Sequence, residues 1–253
     1  MNPVLECLFN HKSIRKYKDQ PIEDEKLNYI INAAQRAPTW CNGEQVSIIA
    51  IKDKERKKIF ENLCWGQKHI SECSVFLIFC ADFYRVSLAF EKEGKNEEFK
   101  KYIAQFDPIL IGSHDVGIAI QNAVVAAESL GLGTVDIGAI RTKIKEVTKE
   151  LNLPKYVIPM IGLCVGYPDD NPGLKPRIPM KGVFFEEKYD TAKAKAGLDE
   201  YDEIFKKYLA ERDSNSRDSN WSKSISDIYT KVTGLNSDEC DLITQKGFYP
   251  IKK

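Results

Sequence analysis

His114–Leu130, HDVGIAIQNAVVAAESL, is the stretch on which the rest of the chain hangs. Alanine and aliphatic residues fall on nearly all sides of a 3.6-residue turn, which predicts a central helix covered by neighbours all round. Gly131-Leu132-Gly133 ends it, and Val135–Ile140 reads as a strand. Thr142–Leu151 then reads as a helix and Val157–Val165 as a strand, before a proline-rich segment from Pro168 to Pro179. On the N-terminal side, Val46–Ile51 (VSIIAI) and Val75–Ala81 (VFLIFCA) are β-branched and aromatic runs of strand length, with a charged amphipathic helix around Lys54–Cys64 between them. The sheet therefore has at least four strands. Asn2-Pro3 starts a short helix that ends near His11, and Ile22–Ala37 is a second helix stopped by Pro38. From Tyr189 the chain turns to charged helices: Leu198–Arg212, then a polar loop Asp213–Asn220, Trp221–Val232, and a last helix near Asp238–Lys246.

At 253 residues, one elaborated domain over 1–253 is the expectation. Lysine plus arginine number 37 and aspartate plus glutamate 37, a balance that speaks against a nucleic-acid platform or a polybasic membrane anchor. The longest uncharged runs, Tyr156–Tyr167 and Val116–Ala127, fall short of the roughly 18 apolar residues of a membrane span, and no secretory signal opens the chain. A soluble, cytoplasmic protein is expected. Seven cysteines without a CxxC pair point to reduced thiols, and three scattered histidines to no metal centre.

Several familiar signatures fail. Gly131-Leu132-Gly133-Thr134-Val135-Asp136 lacks the third glycine of a dinucleotide fingerprint and runs from helix into strand, the reverse of the required order. No P-loop and no GxSxG elbow occur. Cys41 has no identifiable paired base and reads as wall rather than nucleophile. His11-Lys12-Ser13-Ile14-Arg15-Lys16 is different: three potential cations and a hydroxyl follow a short helix, where they can converge on a phosphate or simply face water as a solvated helix end. Lys175-Pro176-Arg177 is a second basic pair, and Arg212 with Arg217 a third.

These residues in this order, with Ala37-Pro38-Thr39-Trp40-Cys41-Asn42, Gly66-Gln67-Lys68-His69, Phe79-Cys80-Ala81-Asp82, Ala126-Ala127-Glu128-Ser129-Leu130-Gly131-Leu132-Gly133, Ile137-Gly138 and Asp170-Asn171-Pro172, resemble the FMN-dependent nitroreductase superfamily. The closer similarity is to its branch of oxygen-insensitive NADPH nitroreductases and NADPH–FMN oxidoreductases. The resemblance covers nearly the whole chain, and several independent motifs in the right order make it specific.

The resemblance implies an α+β nitroreductase-like fold, a central mixed sheet flanked by helices, with a C-terminal helical excursion from about 190 to 253 packing on the partner of a homodimer. It implies FMN as cofactor. His11, Lys12 and Ser13, with Lys175 and Arg177, would hold its phosphate. Arg15 would reach the pyrimidine edge, where reduction places negative charge. Thr39 and Asn42 would lie along the ring or ribityl chain, Gln67 would hydrogen-bond the cofactor, and Ile137, Gly138 and Ala139 would approach N5. Arg212 and Arg217 would bind the 2′-phosphate of NADPH, favouring it over NADH. No catalytic side chain and no metal are called for, because the flavin takes a hydride and passes two electrons to a nitroaromatic, quinone, free flavin or azo acceptor. Two alternatives stand beside this: a flavin reductase supplying reduced FMN to a partner, and a non-catalytic flavin-binding protein, the latter suggested by Asp136 and Ala139 where relatives carry tyrosine and glycine.

Overall fold

The computed structural model describes residues 1–212, 215–232 and 238–249. The chain divides into two compact units, one of residues 1–172 with 236–253 and one of residues 173–235. Helices α1 (Pro3–Phe9) and α2 (Asp24–Gln35) precede β1 (Val46–Ile51), α3 (Lys54–Leu63), α4 (His69–Glu72) and β2 (Val75–Asp82). Then come α5 (Tyr84–Lys92), α6 (Asn96–Ile103), α7 (Asp107–Ser129), β3 (Gly133–Ile137), α8 (Ile144–Glu150) and β4 (Val157–Gly166). The second unit holds α9 (Thr191–Glu211) and α10 (Trp221–Val232), and α11 (Asp238–Gln245) returns to the first.

The four strands lie in the order β1-β2-β4-β3 and every neighbouring pair is antiparallel. The parallel component of the sheet is a bridge from Ser13 to Thr134 on the edge strand β3. β2 is central and buried at every position, which is why its sequence is continuously apolar rather than alternating. Strand pleating sends Val75, Leu77, Phe79 and Ala81 into a cluster with Ile30 of α2 and Ala119, Ala123 and Ala127 of α7. Phe76, Ile78 and Cys80 go to the opposite side, against Phe60 of α3, Ile70 of α4 and Val147 of α8. Burying each large side chain stabilises by roughly 1.5–3 kcal/mol, so the two covered faces make this sheet the anchor of the unit.

Several sequence expectations change, among them the start of α9, which is at Thr191 rather than Leu198. α7 starts at Asp107 rather than His114, and it is not covered all round: Leu110, Ser113, His114, Gly117 and Gln121 form an exposed stripe, because one sheet and α2 cover only part of a helix circumference. With that extension, α7 is the one helix among the described residues long and apolar enough to cross a membrane, although its inner face is part of the sheet core. The strand expected over Val135–Ile140 runs from Gly133 to Ile137 and gives way to a tight helical turn at Gly138–Arg141. Finally, α5 and α6 were not anticipated. Their sequences are dense in Glu and Lys, but Phe90, Phe99 and Ile103 pack with Phe83, Ile111 and Phe248 into a third cluster.

Candidate functional site

The first site element is the segment after α1. Asn2 caps α1 through a bond from Leu5 N–H, and Pro3 opens the helix, so the chain leaves it at Asn10 directly into His11–Arg15. The segment is tied to the sheet edge by the Ile14 N–H, which donates to Thr134 O at 2.8 Å. Gly133 is required there: a Cβ on it would lie 2.7–2.9 Å from three atoms of Ile14, too close for any side chain. The cationic run and the end of β3, with Ile137, Gly138 and Ala139, therefore belong to one wall.

Individual side chains in this wall are held in different ways. His11 Nδ1 lies 2.7 Å from Glu128 Oε1, and the Lys12 ammonium donates to Asn171 Oδ1 at 2.7 Å. Arg15 is exposed and makes one long bond, 3.4 Å, to Ser13 O. Gln67 is anchored through Nε2 to Cys64 O at 3.1 Å. Beside it, His69 has a buried Nε2 with no hydrogen-bond partner. Burial, and secondarily the Arg15 cation, hold the His69 pKa below its ordinary value. Asp136 has its carboxyl pushed up by desolvation, with His11 opposing.

Thr39 and Asn42 lie elsewhere. They sit in a tight loop where Cys41, Asn42 and Glu44 all take left-handed backbone angles, with φ of 50°, 54° and 51°. Such strain persists only where surroundings enforce it. Here the Trp40 N–H donates to both oxygens of buried Asp115 at 3.2 Å, and the Glu44 N–H donates to the Thr39 hydroxyl at 3.1 Å. Asp115 and Glu128 are both on α7 and stand about 20 Å apart along its axis at 1.5 Å per residue. Thr39 and Asn42 share the first unit with His11, Lys12, Ser13, Arg15, Gln67, Ile137, Gly138 and Ala139, but their loop is held near the middle of α7, about 20 Å along its axis from the turn that holds His11. Cys41 is an exposed free thiol in this loop.

The donor set along 11–15, the close backbone of β3 and the unsatisfied His69 nitrogen fit a long ligand with an anionic end and polar edges. The nitroreductase family model matches residues 8–167, and the model described as the C-terminal domain of the nitroreductase family matches residues 175–250. This chain belongs to the nitroreductase family. It is similar to an FMN reductase [NAD(P)H] of Bacillus subtilis, with 43% identity over 92% of this chain and 93% of the relative. An oxygen-insensitive NADPH nitroreductase of Salmonella typhimurium is 40% identical over 89% and 90% of the two chains. The solved structure of B. megaterium NfrA2 superposes with a TM-score of 0.94 at 40% identity, covering all of both chains. The nitroreductase-like α+β fold with C-terminal helices is therefore established for this chain.

The remaining family positions lie in the second unit. Arg177 folds back so that its guanidinium donates to Lys175 O at 3.0 Å, while the Tyr201 hydroxyl fixes the same turn by donating to Pro176 O at 2.9 Å. Arg212 stacks on the Tyr208 ring, 5.6 Å from its centre, and Arg217 donates to the Ser224 hydroxyl at 3.4 Å. Asp213 and Ser214, part of the same polar loop, lie outside the described residues. Glu128 and His69 were quoted in the sequence motifs but given no role. Glu128 did carry a signal: a carboxylate in the last turn of a helix faces the negative end of the helix dipole, and such a local penalty marks a residue held there for another reason.

Proposed function

We propose that this chain is an FMN-dependent NAD(P)H oxidoreductase reducing nitroaromatics, quinones or flavins. The observation that carries the reading is the single wall made by His11–Arg15 and the end of β3, bridged at Ser13 and Thr134, in a chain of this family. His11, Lys12 and Ser13 take the FMN phosphate, and the resemblance adds Lys175 and Arg177. Arg15 faces the pyrimidine edge, Gln67 bonds the cofactor, and Ile137, Gly138 and Ala139 run beside N5. Bound FMN supplies the hydride acceptor and the two-electron store. The protein binds, orients and stabilises charge. The Arg15 guanidinium offsets negative charge at the ring edge without any proton transfer. Arg212 and Arg217 hold the 2′-phosphate of NADPH through paired donors.

Thr39 and Asn42, about 20 Å along α7 from His11, serve the flavin site of a second copy in this reading. The homodimer has a surface to use: α1 buries no residue and leaves Val4, Leu5 and Phe9 exposed, and α7 carries its exposed stripe. Of the helices from about 190 onward, α9 and α10 pack on that partner in this reading, while α11 belongs to the first unit of its own chain, and the enzyme works in the cytoplasm.

The test is anaerobic. Purified protein carrying one FMN per chain is mixed with NADPH, and the yellow absorbance bleaches, then returns on adding a nitroaromatic. A flavin that NADPH leaves oxidised ends the oxidoreductase reading and leaves only flavin binding. The FMN reductase name of the 43% identical relative favours a second reading, supply of reduced FMN to a partner; turnover of free FMN well above that of nitroaromatics and quinones decides for it.

A further inference from the structure

At the last turn of α7 one carboxylate collects two donors. Glu128 Oε1 receives His11 Nδ1 at 2.7 Å and the Thr134 hydroxyl at 2.8 Å. Thr134 is fully buried on β3, and the Glu128 side chain is only 14% exposed. The carboxylate is thus fixed from the helix by its own backbone and from the sheet by Thr134. It in turn fixes the one histidine of the cationic segment.

A neutral imidazole owns one N–H. If that proton sits on Nδ1 and is given to Glu128, the ring turns a lone pair toward any anion on its other side. Only the imidazolium donates at both nitrogens, and a carboxylate at hydrogen-bond distance favours that form. We propose that Glu128 is a positioning residue for the flavin phosphate: it orients the His11 ring and keeps it cationic, so that FMN binding requires His11 to hold two protons. This rests on the placing of His11 at the phosphate in the reading above.

The groups around His11 support the cation on balance. Asp136 of β3 adds a second carboxyl that His11 pulls down from its burial-raised pKa. Glu6 and Cys7 of α1 line a cavity of about 310 Å³ with Glu128 and Lys12. Burial, and then Glu128, push the Cys7 thiol up, which keeps it neutral. Lys12 opposes, but its ammonium is turned to Asn171. The sign follows: if FMN binding needs the imidazolium, binding is complete at low pH and lost as pH rises through the pKa of His11 in the complex.

The experiment titrates apo-protein with FMN and with riboflavin, which lacks the phosphate, by flavin fluorescence between pH 7 and 9, where the phosphate is a dianion. Parent, Glu128→Gln and His11→Gln are compared. Expected is an FMN affinity that falls with pH in the parent, about tenfold weaker FMN binding by Glu128→Gln at pH 8 for one lost charge-assisted bond, and riboflavin binding unchanged. Glu128→Gln with parental FMN affinity and pH slope, while His11→Gln weakens FMN, overturns the role of Glu128 and leaves the phosphate assignment standing. His11→Gln binding FMN as the parent does overturns the assignment itself. A measurement free of variants uses proton NMR of the apo-protein, where the chain has only three histidines to follow. A His11 ring titrating above the ordinary histidine range of about 6.5 supports the proposal, and one at or below it refutes it.

Discussion

Gly162→Ala tests whether the sheet core sets the position of the β3 end. Gly162 sits on β4 with Ile78 of β2 on one side and Ile137 of β3 on the other. A Cβ there would lie 2.4 and 2.5 Å from two atoms of the Phe76 ring and 3.3 Å from Ile137 Cβ. Ordinary carbon contacts are about 3.5–4.0 Å, so the ring must retreat by about 1 Å or more. It has nowhere to go: Phe76 is fully buried and packs on Phe60 with ring centres 5.8 Å apart. Overpacking of this kind costs about 1–3 kcal/mol, while alanine in place of a strand glycine returns about 0.5–1 kcal/mol. The steric cost wins, with a net loss of about 1–2 kcal/mol and a Tm lowered by roughly 2–8 °C for a chain of this size. Because Ile137 leads into Gly138 and Ala139, weaker FMN binding should accompany the loss. The assay is thermal unfolding of the apo-protein, with Gly173→Ala, whose Cβ would meet nothing within 4 Å, as the neutral control. Adding Phe76→Leu removes the clashing atoms, so the two changes should be strongly non-additive. A Gly162→Ala protein as stable as the parent, or strict additivity with Phe76→Leu, refutes the reasoning.

Other outcomes follow from the same geometry. Arg177→Ala should weaken FMN retention roughly ten- to hundredfold, as loss of a charge-assisted phosphate contact does, measured by dialysis against FMN. Arg217→Ala should lower the ratio of kcat/KM for NADPH over NADH; a ratio that does not move removes this loop from recognition of the 2′-phosphate. Initial rates with NADPH and a nitroaromatic should give parallel double-reciprocal lines, since one site serves donor and acceptor in turn, and intersecting lines would refute that. The buried Asp115 carboxyl has its pKa raised by desolvation, so the stability it contributes is full at low pH and lost as pH rises through the raised value. Asp115→Asn keeps an acceptor for the Trp40 N–H without that charge, and its Tm relative to the parent should climb between pH 4 and 7.

The sheet was legible because its strands are short apolar runs between turn signals, and β2 and β4 differ from expectation by one residue at an end. α5 and α6 were not, because charged surface residues hide a narrow apolar stripe that only tertiary packing reveals. The cationic segment was visible as a composition, but its use was not: by charge alone it passes for a solvated helix end. Its pairing with Glu128 spans most of the first unit, and no local pattern encodes a contact between residues that far apart in the chain. The separation of Thr39 and Asn42 from His11 was equally hidden, since a family pattern names positions without saying how far apart one chain holds them.

That separation yields the sharpest test of assembly. Asp115 lies near the middle of α7 and Glu128 in its last turn, so the loop of Thr39 and Asn42 and the segment of His11 are held about 20 Å apart along the helix and, at 100° per residue, on different faces of it. A two-fold partner with its α7 antiparallel would place the Asp115 end of one copy against the Glu128 end of the other, twice over. At that register the axis would cross near Gln121, at one end of the exposed stripe Leu110, Ser113, His114, Gly117 and Gln121, and Gly117 would lie about 7 Å from it along the helix, against the partner's α7. In the single chain a Cβ at Gly117 meets nothing within 4 Å, so Gly117→Phe should fold normally, its helix propensity if anything improved. In such a dimer the same ring would have a partner helix in its way. Gly117→Phe should therefore give a protein with parental circular dichroism that elutes as a monomer and no longer retains FMN. A monomer that binds FMN normally would show that one chain completes its own site, and a dimer with bound FMN would place the interface elsewhere on the surface.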